Sequence, residues 1–382
     1  MQGYVRLASS VPPGLRAVLY GLAIASLAAC SNSAPKPSRP IAGNAAMGAV
    51  SGVSSEAPVA GDSAIESVEP WSFNSNEGRL VRTAHYRLFT TQADTVLNSR
   101  IPLFLESALD AYRTSITGTH APLPEPELKL DTYILRTRPD WALLTRQMTG
   151  NQADLFLRIP RGGFAFGGKA LMFDIGARDT IAIVSHEGWH QYTQRAFKRP
   201  LPVWIEEGMA TYMEGHRFDG KGAPQFLPWF NTERFDQLRR AHTAGQLMSL
   251  PALLDSSPQN LLSGGGAGGG LNPNADALVY YAQVWALTLF LAEGAGGRYH
   301  APLGTLLRDG ASGEIDGHLG RAFGAGNAAR ILAFRRGPGV FTAYFGDLGA
   351  AAREYDAFIK RLVHPGSRNA VVEGVSPFAR PE

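Results

Sequence analysis

The spacing of apolar positions switches between two periods from Arg82 to Asp174, then settles into one. Arg82 to Thr91 alternates as a strand does. Leu128 to Thr137 does so more clearly, with Leu130, Thr132 and Ile134 opposing Lys129, Asp131 and Tyr133. Between them, Ala93 to Arg113 repeats at helical spacing, and Pro139 opens a shorter helix that ends near Gly150. Gly162 to Asp174 alternates weakly and closes on Ala170-Leu171-Met172-Phe173-Asp174, which reads as an edge strand. Beyond Thr180 the period is helical, with Thr232 to Gln246 polar and amphipathic and Leu250 to Leu254 short and apolar. Leu278, Tyr281, Trp285 and Thr288 share a face of a later helix, and further helices run to about Val363. The expected fold is therefore α+β: an N-terminal mixed sheet with helices over 79–185, then a mainly helical part over 186–363. Residues 364–382 read as a loose tail. Ser263 to Gly270 is nearly all glycine and reads as a flexible loop. No Lys-Ser/Thr follows it, so it lacks the signature of a phosphate-binding loop.

The first helix of the long series carries the chemistry. Ile181, Val184, Gly188, Trp189 and Tyr192 recur at helical spacing, with Asp179 or Thr180 as the N-cap. On that helix lies His186-Glu187-Gly188-Trp189-His190, the HExxH pattern of zinc metallopeptidases. His186 and His190 fall one turn apart on one face, opposite Ile181, Gly188 and Tyr192, so both imidazoles can reach a single ion. Glu187 points to one side of the pair, where it can act on water. The competing reading is two surface histidines on an amphipathic helix.

A hydrolytic zinc site takes three protein ligands and keeps one position open. Thr193 and Ala196 occupy the places where the metzincin pattern needs Gly and a third His, so that solution is excluded. Downstream, Lys198-Arg199-Pro200 reads as a turn and Pro202 as the start of a second helix, Val203-Trp204-Ile205-Glu206-Glu207-Gly208-Met209-Ala210-Thr211-Tyr212. A carboxylate on this second helix then faces the two histidines. Glu207 shares a face with Val203, Ala210, Thr211 and Glu214, whereas Glu206 lies about 100° away. Glu207 is therefore the expected ligand and Glu206 a solvated residue. Small Gly208 and Ala210 let helices approach around the metal. Thr211 and Glu214 are either partners for the histidine ring nitrogens or ordinary polar residues of the helix.

Taken together, HEGWHQ, PVWIEEGMATYME and the later YYAQVWALTLFL resemble the gluzincin-type peptidase MA-like family, whose members are largely uncharacterised bacterial proteins. The motifs span Thr180 to Leu291, and a weaker likeness covers most of Arg82 to Val363. The resemblance implies a zincin-like fold, one Zn2+ per chain on His186, His190 and Glu207, and Glu187 as general base. It also implies a catalytic Tyr281, with Tyr280, Tyr212 and His216 as rivals for the place of oxyanion donor. Gluzincins as a class pair an edge strand with extended substrate backbone, a role that Ala170–Asp174 fills unless it is a core strand. The chain departs from the pattern in the glycine-rich insert before the Tyr helix and in the adjacency of Tyr280 and Tyr281.

The N-terminus speaks to location. Arg6 and Arg16 precede an apolar run from Val18 to Ala29, too short to span a bilayer comfortably. The run closes on Leu27-Ala28-Ala29-Cys30, a bacterial lipobox, and Cys30 is the single cysteine of the chain. Residues 1–29 are thus expected to be a lipoprotein signal peptide and Cys30 the lipidated N-terminus, with Ser31 after it suited to outer-membrane sorting. Residues 30–78, rich in Ala, Ser, Gly and Pro as far as Pro70, are expected to be a flexible membrane tether. Loss of Arg6 and Arg16 with the signal lowers the formal charge from +3 to +1. With no basic run interleaved by aromatics, nucleic-acid binding has no support.

These readings converge on a zinc-dependent peptidase of the bacterial envelope, lipid-anchored and facing the periplasm, that acts on peptide or protein segments. The alternatives are a non-catalytic scaffold lipoprotein on the same fold, or zinc-dependent hydrolysis of a non-peptide amide.

Overall fold

The N-terminal part folds into a six-stranded mixed sheet with helices packed on both of its faces. The computed structural model describes residues 64–262, 273–333 and 337–378. The expected signal peptide, Cys30 and the glycine run Ser263 to Gly270 lie outside these residues. Strands β1 (Ser67–Phe73) and β2 (Asn76–Arg82) form an antiparallel hairpin. Asn74 and Ser75 close it with positive φ, the backbone hand that a two-residue hairpin turn requires. Strand β3 (Tyr86–Thr90) continues antiparallel, and β4 (Leu130–Leu135) lies parallel to β3. Next to β4 comes β6 (Lys169–Phe173), parallel, and then β5 (Gly163–Phe166), antiparallel at the far edge.

Alternation along β4 separates two cores. Leu130 and Ile134 face helix α1 (Thr95–Thr114) and the large core, while Tyr133 and Leu135 face helix α2 (Arg138–Thr149) and a smaller aromatic core. Both helices are capped by side chains: Asp94 accepts from the Leu97 amide and Thr137 from that of Asp140. Because each face of β4 is covered, all six of its residues are buried.

Past the sheet the chain runs through α3 (Ala177–Ala196), α4 (Val203–Met213), α5 (Thr232–Thr243) and α6 (Pro273–Glu293). Further helices follow to Glu373. One hydrophobic core extends from Val81 in β2 to Val371 near the end of the chain. Among the described residues no helix is long and apolar enough to cross a membrane.

Several expectations need correction. Ala170–Asp174 is not an edge strand: β6 is hydrogen-bonded on both sides, and the edge is β5. The weak alternation from Gly162 to Asp174 conceals a hairpin, closed at Gly167 and Gly168, both with positive φ. Residues 67–78 are not tether, because β1 pairs with β2 and carries Trp71 against Phe89 and Tyr133, with Phe73 stacked on Trp71. The boundary at 186 falls inside α3. Nor is the tail loose throughout: Ser367–Glu373 is helical with Val371 fully buried, and Phe378 packs on Trp229 and Phe358.

Candidate metal centre

Helix α3 starts at Ala177, three residues before the expected Thr180, and Gly176 rather than Asp179 or Thr180 is its N-cap. Thr180 instead ties the entry loop, donating to Asp174 and accepting from the Ile175 amide. From Thr180 to Thr193 every residue of α3 except half-buried Ala182 is buried, so this stretch of the helix is almost wholly enclosed. It is fixed at several points. Tyr112 on α1 donates to the Ser185 carbonyl at 2.7 Å, and Ser185 donates to the Met213 carbonyl at the end of α4 at 2.6 Å. Gln191 donates to the Asp131 carbonyl on β4 at 2.8 Å. A side chain at Gly188 would strike the Tyr112 hydroxyl, which explains the glycine inside the motif.

These anchors present His186 and His190 to α4. Nε2 of each imidazole lies 3.5 Å from the same Glu207 oxygen, Oε2. The three donor atoms fall within 4.8 Å of one another. All three side chains are buried, and neither Nε2 nor Glu207 Oε2 has a hydrogen-bond partner. Three buried donors that face each other without partners are costly unless something shared satisfies them. Two imidazole nitrogens and a carboxylate oxygen form a borderline-hard donor set suited to a divalent metal ion. The group can hold such an ion.

The opposite ring nitrogens are held. His186 Nδ1 lies 2.9 Å from Glu214 Oε1, and His190 Nδ1 lies 2.9 Å from Glu206 Oε1. A carboxylate at Nδ1 keeps the proton there and leaves the Nε2 lone pair directed at the shared centre. Glu206 is therefore not the solvated residue that helical geometry suggested. It also accepts from Thr193 at 2.7 Å and is buried. Of the two polar candidates on α4, Glu214 orients a histidine, whereas Thr211 donates back to the Glu207 and Gly208 carbonyls of its own helix.

Glu214 is in turn clamped by residues that sequence reasoning passed over. Arg234 on α5 donates to both of its oxygens, at 2.7 and 3.0 Å, and Asn231 adds a bond at 2.8 Å. Arg234 has no exposed surface. Its guanidinium also lies 5.1 Å from the Tyr281 ring centroid. Nothing in α5 marked this arginine out among its charged neighbours. For Glu206 a signal existed: two adjacent carboxylates in a helix as apolar as Val203–Met213 must both be satisfied inside the protein.

Charge balance follows from these contacts. Burial raises both the Glu207 and Glu214 carboxyls. His190 and His186 outweigh it for Glu207, and Arg234 and His186 do so for Glu214, holding each at about 2. Burial lowers His186, but Glu207 and Glu214 raise it further and leave a net increase. Glu187 is different. It has no exposed surface, neither oxygen has a partner, and burial pushes it to about 7 against the pull of His186 and His190.

Tyr281 comes to the same place. From Tyr280 to Ala292 every residue of α6 is buried, and the Tyr281 ring centroid lies 6.0 Å from that of His186. Its hydroxyl has no hydrogen-bond partner, and burial, then Glu207, push its pKa well up, so it remains an O–H donor. Gly208 allows this approach, though against a helix other than the one expected. A side chain there would collide with Thr288 on α6, not with α3. Of the rivals, Tyr280 packs edge-on against Tyr281, with ring centroids 5.9 Å apart. Tyr212 neighbours Glu293, which accepts from the Trp229 indole. His216 donates to the Glu214 carbonyl and packs on Phe104. The structure thus brings together His186, Glu187, His190, Glu207 and Tyr281. No protein-family model, curated protein or solved structure matches the chain.

Proposed function

We propose that the protein is a zinc-dependent peptidase of gluzincin type, with a zincin-like fold and one Zn2+ on His186, His190 and Glu207. The observation that carries this reading is the convergence of three buried, partnerless donor atoms, two of them on rings whose far nitrogens are held by carboxylates. A zinc ion in such a set acts as a Lewis acid that acidifies water and polarises a carbonyl. The chain supplies the rest. Glu187, with a pKa near neutrality, can take a proton from water and return it to a departing amine. Tyr281, a hydroxyl donor across from His186, can stabilise the oxyanion that forms on the attacked carbonyl. The edge strand β5, packed on α3, can pair with an extended peptide backbone.

Glu187→Gln tests the enzymatic reading. It keeps the side-chain volume and removes the base, so zinc content stays at wild type. Hydrolysis of a peptide library falls about a hundredfold or more, the scale of general-base loss. Full hydrolysis by this variant would exclude Glu187 as the base. If it instead restored every phenotype of a deletion strain, a scaffold role would replace the enzymatic one. We also propose that Cys30 is lipidated and anchors the protein in the bacterial envelope, at the outer membrane facing the periplasm, on the strength of the Leu27–Cys30 lipobox. Acyl labelling that persists in Cys30→Ser would overturn the anchor.

A further inference from the structure

A cavity of about 330 Å³ opens beside the metal centre. Asp179 and Ala182 on its wall lie on the same face of α3 as His186 and His190, at helical spacings of three and four. The cavity therefore begins about one turn, roughly 5 Å, along the helix from His186. Glu214, which holds the His186 ring, and Asn231, which donates to Glu214, form part of its lining.

Its charge is lopsided. Arg100, Arg178 and Arg217 line it, and none of them makes an ion pair among the described residues. Arg100 is laid across the Phe218 ring at 4.9 Å, which fixes its stem. Arg178 is close enough to influence both His216 and Glu233. The carboxylates in the wall are largely spoken for. Glu214 is neutralised by Arg234 and Asp179 by Arg161, neither of which lines the cavity. Only Glu233, which accepts from Gln237, remains to face three arginines. The first turns of α3 and α5 also end at the cavity and add their partial positive charge. Phe218, Phe230 and Ile181 supply apolar walls that strengthen any ion pair made inside.

We propose that this cavity receives a carboxylate of the substrate, from an acidic side chain or from the chain terminus, so that the enzyme selects acidic peptides. The proposal rests on the peptidase reading and names the substrate class of that site. Paired peptides that differ only in Glu against Gln, or in a C-terminal acid against an amide, separate the two sources. Binding is read by fluorescence anisotropy on zinc-loaded Glu187→Gln protein, and hydrolysis on the wild type. Charge-assisted hydrogen bonding to an arginine predicts about tenfold tighter binding of the acidic member of one pair. Arg100→Gln combined with Arg178→Gln should erase that preference while hydrolysis of neutral peptides persists, and Arg100→Lys with Arg178→Lys should restore part of it. Equal binding of both members in a protein that cuts peptides overturns the proposal alone. A preference that survives Arg100→Gln, Arg178→Gln and Arg217→Gln together overturns it too. Arginine-dependent binding of acidic peptides without any hydrolysis supports the cavity and removes the peptidase reading. Failure to bind any of the peptides overturns both.

Discussion

If zinc is the ion held, replacing Glu207 with Ala should lower its affinity about a thousandfold, and His186→Ala or His190→Ala should do the same. Apparent binding energies of zinc sites run to about 10–16 kcal/mol at neutral pH, and a four-coordinate ion shares them among its ligands. One ligand is thus worth several kcal/mol, and tenfold in affinity is about 1.4 kcal/mol. The surrounding carboxylates should rank below. Glu206→Gln and Glu214→Gln each leave the donor set intact and loosen only the ring they hold, at 2.9 Å in both cases. Such outer contacts are worth about ten- to a hundredfold. Glu187→Gln should cost nothing, since both Glu187 oxygens lie outside the donor cluster. Chelator competition across the six variants measures the whole order. A larger loss in Glu206→Gln than in Glu207→Ala would mean that the roles of the two carboxylates are reversed.

The part of this ranking that was legible in the sequence is the part governed by one helix. His186, Glu187 and His190 sit within one turn, so spacing alone places them together. Glu207 followed from the phase of a second helix whose start was marked by Pro202. Phase could not decide what Glu206 does, because that depends on Thr193 and His190 lying across the α3–α4 interface. Arg234 was hidden for a similar reason. A polar helix such as Thr232–Thr243 looks solvated, and only the packing of α5 against α6 shows that one of its arginines is internal. In the sheet, the alternation of Leu128 to Thr137 gave β4 its two faces correctly. The β5–β6 hairpin was read as one strand, because two glycines between alternating residues leave the period almost undisturbed. The β1–β2 hairpin was lost to composition: a segment rich in small residues up to Pro70 masked Trp71 and Phe73 just beyond it.

Arg234→Met should destabilise the protein by about 3–5 kcal/mol, the cost of stranding one partner of a buried ion pair. Methionine fills much of the volume, so the loss is electrostatic rather than a cavity. Glu214 would be left with Asn231 and His186 as its remaining partners, in a site where burial already works against its charge. With the lowering pull of Arg234 gone, its carboxyl takes up a proton more readily, and a protonated Glu214 is a poor acceptor for His186 Nδ1. Zinc affinity should fall about ten- to a hundredfold in consequence, as for other outer partners of a metal-binding histidine. Stability and affinity part company in the double variant Arg234→Met, Glu214→Leu. Removing both charges together returns most of the denaturation midpoint, because an apolar replacement of a buried pair is close to neutral. It cannot return the affinity, since His186 Nδ1 still lacks its carboxylate. Urea titration and zinc competition on the same samples distinguish the two effects. If the double variant recovers zinc binding along with stability, the Arg234–Glu214 pair serves the fold alone. If stability recovers and affinity does not, the buried pair is kept for the metal centre, which explains why the core of this protein tolerates a fully buried arginine.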